Sequence, residues 1–180
     1  MLFFEKNFGK EFHVAIFLET HQKNGEASPP EILRYANTHS IIEEPTNENE
    51  SHTGITILLQ DDYELLSYQI PLPGRILSIQ IKHKSSKETF NIIALYNYQR
   101  AIMKKEQVLE VTSAIKSVLQ PHSNNILTGD FNFVENDLDR SLKMSPFDIR
   151  TTKIWNDEMV ATELVDPFRH QNPKKKCGLI

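Results

Sequence analysis

Short apolar runs separated by polar stretches dominate the first half of the chain, a pattern typical of β-strands. Residues 13–18 are continuously apolar, which indicates a strand buried on both faces. Residues 54–59 form a second apolar run, whereas residues 76–81 alternate between apolar and polar as a half-buried strand does. A polar, turn-like stretch at residues 84–88 separates this strand from the apolar run at residues 90–96, so we expect the two to pair as a hairpin.

Helical spacing replaces the strand pattern further along the chain. Between residues 101 and 119, valine and isoleucine recur on one face of a predicted helix: Val108, Val111, Ile115 and Val118. Pro121 ends this helix. A second helix is expected from about residue 148 to 163, with Trp155 and Met159 one turn apart on its buried face.

Three further segments complete the outline. Residues 1–12 predict an amphipathic helix with Gly9 near its end, and residues 125–128 predict a short strand. The acidic, asparagine-rich residues 43–52 indicate a solvated loop or hairpin tip. Strands with few intervening helices favour a layered α/β sandwich with mixed or antiparallel sheets over a strictly alternating parallel fold.

Composition narrows the class of protein. A chain of 180 residues with 39% hydrophobic and 24% charged residues fits one globular domain. The single Cys177 excludes an intrachain disulfide framework, and no apolar run approaches the roughly 20 residues that cross a bilayer. A net charge of −4 argues mildly against tight non-specific DNA binding, although a metal site in a nuclease is itself acidic.

Candidate chemistry begins where the apolar runs end. In Gly129-Asp130-Phe131-Asn132, a strand is followed by a carboxylate and an amide two positions apart, which the strand period would direct to one face. Such a pair can bind a hard cation and a phosphate oxygen together, although the same residues are also ordinary turn formers. Glu19 and Tyr96 end two other strands. We therefore expect the strand ends to gather Glu19, Tyr96, Asp130 and Asn132 around one cation.

These motifs occur in a characteristic order: Glu19-Thr20-His21, Gly54 to Leu59, a hairpin ending at Tyr96, Gly129-Asp130-Phe131-Asn132, Leu138-Asp139-Arg140 and Asp166-Pro167-Phe168-Arg169. The order resembles the endonuclease/exonuclease/phosphatase superfamily, specifically the endonucleases of LINE-type retrotransposons, from about Phe3 to Pro173. The resemblance implies a four-layered α/β/β/α sandwich of the DNase-I-like type, incomplete, as one partial domain over residues 1–173. Residues 174–180 would be a non-homologous tail.

The resemblance also implies roles for individual residues. Glu19 matches the Glu that holds Mg²⁺, for which Mn²⁺ can substitute, at the scissile phosphate of DNA. Asp130 and Asn132 match the pair that orients or activates the nucleophilic water and contacts the phosphate and metal. Tyr96 matches the Tyr that supports the charge developing on the phosphoryl group. Asp166 and Arg169 match positions near the DNA groove and would bind substrate.

The chain also departs from the family pattern. No strand ending in a metal-sharing Asn precedes Glu19, no Ser-Asp-His motif follows, and Tyr98 replaces a Pro. Because the missing His commonly contributes about 10²–10⁴ in rate, we expect weak or absent activity. Two hypotheses follow: a Mg²⁺-dependent endonuclease domain that nicks DNA, or a catalytically inactive remnant of it. Either would be intracellular, without a membrane or an obligate protein partner, and nuclear if it acts on genomic DNA.

Overall fold

The computed structural model describes residues 12–21, 23, 39–44, 53–139 and 143–175. The chain divides into two compact units. The first comprises Met1–Tyr96 and Gln120–Gly129, and the second comprises Asn97–Leu119 and Asp130–Ile180. The helix predicted over residues 1–12 lies almost wholly outside the described residues.

Strands precede most of the helices along the chain. The strands are β1 (Val14–Leu18), β2 (His39–Glu44), β3 (Ile55–Gln60), β4 (Tyr63–Leu72), β5 (Ile76–His83), β6 (Thr89–Tyr96) and β7 (Asn124–Asp130). The helices are α1 (Lys105–Val118), α2 (Pro146–Met159) and α3 (Pro167–Gln171), with 3-10 turns at Asp137–Asp139 and Val160–Thr162. Within the described ranges, no helix has the length and apolar character needed to span a bilayer.

The first unit is built on two sheets. One has the order β1-β3-β2 and the other the order β4-β5-β6-β7, with antiparallel pairing wherever β1 to β6 are neighbours. Alternate residues of both sheets meet in one apolar core, including Ile57 and Leu59 from β3, Ile79 from β5 and Ile92 from β6. Burying each such side chain stabilises the fold by roughly 1.5–3 kcal/mol.

Position within a sheet explains where the predicted burial was wrong. The strand β1 is confirmed, but Ala15 is its one fully buried residue, because β1 lies at the edge of its sheet. Conversely, the half-burial predicted for residues 76–81 is wrong: residues 76–79 are all buried, because β5 lies inside its sheet. The hairpin of β5 and β6 is confirmed, with Ile76 opposite Leu95.

Two strands, β2 and β4, were not predicted from the sequence. The prediction of a loop over residues 43–52 is wrong at its start, since Glu43 and Glu44 belong to β2 and pair with β3. The edge strand β4 leaves Leu66, Tyr68 and Ile70 exposed and has two register irregularities against β5. The apolar residues of β4 do alternate with Ser67 and Gln69, so its period-two signal was present in the sequence and was overlooked.

The second unit contains the two long helices, which pack against each other. The predicted apolar faces are confirmed: Val111 and Ile115 of α1 and Trp155 of α2 are buried. Helix α2 begins at Pro146, two residues before the predicted start, because Ser145 caps it. The Ser145 hydroxyl accepts from the Asp148 N–H at 3.2 Å, while the Ser145 N–H donates to the Asp148 carboxylate at 3.2 Å.

Candidate functional site

Glu19 and Tyr96 form a hydrogen-bonded pair in the first unit. Glu19 directly follows β1, and Tyr96 is the last residue of β6, so both strand-end predictions are confirmed. The phenol O–H of Tyr96 donates to Oε1 of Glu19. Tyr96 is 2% exposed, whereas Glu19 is exposed. The pair therefore presents a carboxylate whose second oxygen can meet a ligand while a buried phenol fixes the first.

Arg75 supports this pair and was missed in the sequence. Its guanidinium carbon lies 5.7 Å from the centre of the Tyr96 ring, and its Nη1 donates to the Tyr96 carbonyl at 3.5 Å. The Tyr96 N–H in turn donates to the Arg75 carbonyl at 2.8 Å. Arg75 is only 5% exposed. An arginine placed directly before an apolar strand was the available signal, because a buried charge needs specific partners.

Asp130 and Asn132 form a second pair, in the second unit, but not by the predicted geometry. Strand β7 ends at Asp130, and Asn132 has a left-handed φ of 56°, so the strand period does not extend to Asn132. Instead, the Asn132 N–H donates to Oδ1 of Asp130 at 2.9 Å, which closes a turn of the kind that Asp side chains favour. The two residues are neighbours through this turn.

Gly129 of the same motif has a purely structural explanation. Its φ is +141°, and a Cβ atom placed on it would lie 1.9 Å from the Leu95 carbonyl oxygen. Any side chain would therefore collide with the backbone of β6. The glycine allows the two strands to approach and does not itself indicate catalysis.

Asn97 holds the loop that carries Asp130 and Asn132. Its N–H donates to the Asp130 carbonyl at 2.9 Å, and its side-chain amide donates to the Phe131 carbonyl at 2.9 Å. The side-chain amide of Asn132 donates to the Asn97 carbonyl at 3.0 Å. Because Asn97 is 1% exposed, these bonds are shielded from water. The sequence offered no periodic signal for Asn97 beyond its place directly after a strand.

A pocket of about 340 Å³ opens beside this loop in the second unit. It is lined by Arg100, Asp148 and residues 130–134. Phe131 and Phe133 also pack edge-on or tilted against the buried Trp155, with ring centres 5.6 and 5.3 Å away. The pocket therefore combines a cation, two carboxylates and an amide on an aromatic base.

Asp166 and Arg169 have local structural partners. Asp166 caps α3 by accepting from the Arg169 N–H at 3.0 Å. The Arg169 guanidinium forms an ion pair with Asp139 and donates to the Lys175 carbonyl at 2.8 Å. The motif Leu138-Asp139-Arg140 and the α3 motif are thereby joined, and a substrate role for Asp166 and Arg169 stays a prediction.

Glu135 lies close to these acidic residues. Partial burial of its carboxyl raises its pKa, and the neighbouring charges of Asp166 and Asp139 raise it further. The residue as a whole remains exposed, so solvent screens these interactions.

The side chains present suit a hard divalent cation. In the described part of the chain, no three His, Cys, Asp or Glu side chains are grouped as a complete metal site. Mg²⁺ is usually bound by one or two carboxylates together with water and substrate phosphate, so it does not need such a group. The exposed carboxylates of Glu19 and Asp130 each have one oxygen in a hydrogen bond and a second available as a hard donor. The expectation that all four residues surround one cation stays a prediction.

Several solved structures share the fold of this chain. The chain superposes on the AP endonuclease LMAP of Leishmania major with a TM-score of 0.71 and 16% identity, over 99% of this chain and 64% of that one. The APE2 catalytic domain of Xenopus laevis matches with a TM-score of 0.66 and 14% identity, over 98% and 71%. An endonuclease/exonuclease/phosphatase family protein of Bacteroides thetaiotaomicron matches with a TM-score of 0.54 and 13% identity, over 72% and 52%.

These similarities define the class of fold. The chain has the α/β fold of the endonuclease/exonuclease/phosphatase proteins, and the predicted DNase-I-like type is confirmed. It spans less than two thirds of the length of the Leishmania protein. No protein-family model and no curated protein sequence matches it.

Proposed function

We propose that this chain is a divalent-metal-dependent phosphodiesterase domain that nicks DNA weakly. The observation that carries the proposal is that the four motif residues form two hydrogen-bonded pairs at or directly after strand ends. Glu19 accepts a hydrogen bond from Tyr96, and Asp130 accepts one from the Asn132 N–H. The fold supports the proposal because its solved examples include an AP endonuclease.

The proposed roles follow from what each side chain can donate or accept. Glu19 would hold Mg²⁺ through its oxygens, with Asp130 and Asn132 as the other candidate ligands. When bound, the metal would polarise a phosphoryl oxygen and neutralise charge there. Oδ2 of Asp130 would accept a proton from water, and the Asn132 amide would orient that water or the phosphate. The phenol of Tyr96 would stabilise negative charge through its O–H.

Left-handed backbone at two of these residues adds support. Glu19 has a φ of 54° and Asn132 a φ of 56°, a conformation that few non-glycine residues adopt. Each such residue costs on the order of 1 kcal/mol and persists where its surroundings enforce it. Turn residues elsewhere, such as Lys87, share the conformation, so the argument strengthens the assignment without carrying it.

A plasmid-nicking assay tests the proposal. Purified wild-type chain in Mg²⁺ should convert supercoiled plasmid to open circles, and EDTA should stop it. Asp130→Asn should lower the rate by about 10²-fold or more. Asp157→Asn, an exposed carboxylate on α2, is the matched control and should nick like the wild type. Equal rates for Asp130→Asn and wild type would refute the proposal.

The finer assignment is also a proposal. The LINE-type origin rests on the Leu138-Asp139-Arg140 and Asp166 to Arg169 motifs, which the ion pair of Arg169 with Asp139 joins. Such a domain would act in the nucleus on genomic DNA. If the wild-type chain shows no Mg²⁺-dependent nicking, the inactive-remnant hypothesis replaces the enzyme hypothesis.

A further inference from the structure

We infer that Arg100 is a substrate-binding residue that holds a backbone phosphate of the nucleic acid beside Asp130 and Asn132. The inference rests on the proposed function, because it assigns a substrate contact to the same pocket. Neither the motifs nor the resemblance pointed to Arg100.

The position of Arg100 is the first argument. Its side chain lines the pocket that Asp130 and Asn132 also line. Arg100 is 40% exposed, whereas its partner Asp148 is 1% exposed. The guanidinium carbon lies 4.9 Å from the centre of the Phe147 ring, which keeps the group flat against an apolar face. A guanidinium held in this way is oriented before any ligand arrives.

The free donors of Arg100 are the second argument. Its Nη2 donates to Oδ2 of Asp148 at 2.7 Å and to the Ser145 hydroxyl at 2.6 Å. Among the described residues, both of its hydrogen bonds use this one nitrogen, so Nη1 and Nε remain as donors. A guanidinium can thus bind phosphate with one edge while the other edge keeps its ion pair.

The charge of the pocket is the third argument. Asp130 and Asp148 place two carboxylates in its lining, and Arg100 is the cation among the lining residues. Without Arg100, the charged residues of the lining would all be carboxylates, which repel a phosphodiester. Burial of Asp148 against Arg100 removes one carboxylate from the surface and leaves the exposed part of the guanidinium to face the ligand.

A structural role is the competing explanation. Arg100 could simply neutralise the buried Asp148 and fix the start of α2. A test must therefore remove the phosphate contact without leaving Asp148 as an unpaired buried charge, which is strongly destabilising. The double variant Arg100→Gln/Asp148→Asn does this, because both partners become neutral amides and neither leaves the other as an unpaired charge. The single variant Asp148→Asn keeps Arg100 and removes the carboxylate with which the guanidinium forms its ion pair.

The experiment measures binding of a short fluorescein-labelled DNA duplex by anisotropy, in Ca²⁺ and over a range of salt concentrations. Asp148→Asn should bind as tightly as the wild type or more tightly. The double variant should bind about tenfold more weakly, and its salt slope should fall by about 0.9, the loss of one phosphate contact. Lys153→Gln, an exposed cation of α2, is the control for loss of net charge.

Two results would overturn the inference: affinity and salt slope of the double variant equal to those of Asp148→Asn, or no DNA binding by the wild type. Failure of the proposed function gives a different outcome. If the wild type binds with the expected dependence on Arg100 but does not nick plasmid, the phosphate contact stands and the catalytic proposal falls. If the wild type nicks and the double variant binds normally, only the role of Arg100 falls.

Discussion

The two candidate pairs, one in each unit, are supported in different ways. In the first unit, Glu19 and Tyr96 extend from strands whose inner faces form a dry two-sheet core, and Tyr96 is 2% exposed. In the second unit, Asp130 and Asn132 stand on a loop whose shape depends on hydrogen bonds to Asn97. Apolar packing places Tyr96 of the first pair, whereas polar bonds place both residues of the second. The difference predicts which substitutions should damage the fold and which should damage only the site.

Gly129→Ala should lower the free energy of unfolding most, because it disrupts the packing of two strands in the first unit. The added methyl would lie 1.9 Å from the Leu95 carbonyl oxygen, so β6 and β7 must separate. We expect a loss of about 3 kcal/mol or more in the free energy of unfolding, measured by urea denaturation. Ile126→Val, at a 43% exposed position on the same strand, should change it by less than about 0.5 kcal/mol. If Gly129→Ala were nearly as stable as the wild type, β6 and β7 could approach each other without a glycine at this position.

Asn97→Ala should damage the second unit less but should disturb the site more selectively. It removes the bond to the Phe131 carbonyl and the bond that its Oδ1 accepts from the Tyr98 N–H at 2.8 Å. We expect a cost of about 1–3 kcal/mol. On the proposed function, kcat for nicking should fall further than KM rises, because Asp130 and Asn132 lose their position. An unchanged kcat in a folded variant would contradict the positioning role.

Tyr96→Phe should have a moderate effect, since the ring keeps its place in the core and only the O–H is lost. Removing a hydrogen bond to the Glu19 carboxylate should cost about 1.5 kcal/mol in stability, measured by thermal unfolding. Tyr63→Phe provides a comparison, because Tyr63 contacts rings rather than a carboxylate. If both variants lose the same free energy of unfolding, the hydrogen bond between Tyr96 and Glu19 does not stabilise the fold beyond an ordinary tyrosine contact.

Glu135→Gln should have the smallest effect on stability, and the size of that effect depends on pH. The folded pKa of Glu135 is raised above its ordinary 4.5, so the folded state binds the proton more tightly than the unfolded state does. Its contribution to stability therefore falls as pH rises through the window between 4.5 and the raised folded pKa. Above that window the Gln variant should be the more stable protein, by no more than about 0.5 kcal/mol at this exposed position. Denaturation curves at low and neutral pH check this, and a gain that persists at low pH would exclude the ionisation as its cause.

Much of the first unit could be predicted because burial follows the apolar pattern. The runs that became β1, β3, β5 and β6 were all visible, and Glu19 and Tyr96 were found as the polar groups at two of their ends. What the pattern could not show was sheet order, and sheet order decides burial: β1 is an edge strand and β5 is not. The edge strand β4 was overlooked although Leu66, Tyr68 and Ile70 alternate with polar residues.

The two long helices of the second unit were predicted from their apolar faces, but the contacts of its candidate residues were not, because these contacts follow no period. Asn97 and Phe131 are 34 positions apart, and Arg100 and Asp148 are 48 apart. Residue type marked Asp130 and Asn132 as candidates. Their geometry differed from the prediction because a turn, and not a continuing strand, sets the position of Asn132.

The most direct test of the account is a double-mutant cycle on Mg²⁺-dependent nicking with Glu19→Gln, Asp130→Asn and the combination. If the two residues serve one chemical step, each single variant should lose about 10²-fold or more, and the double variant should lose little beyond the weaker single. Losses that multiply, to about 10⁴-fold in the double variant, would show that Glu19 and Asp130 act independently and would contradict the account.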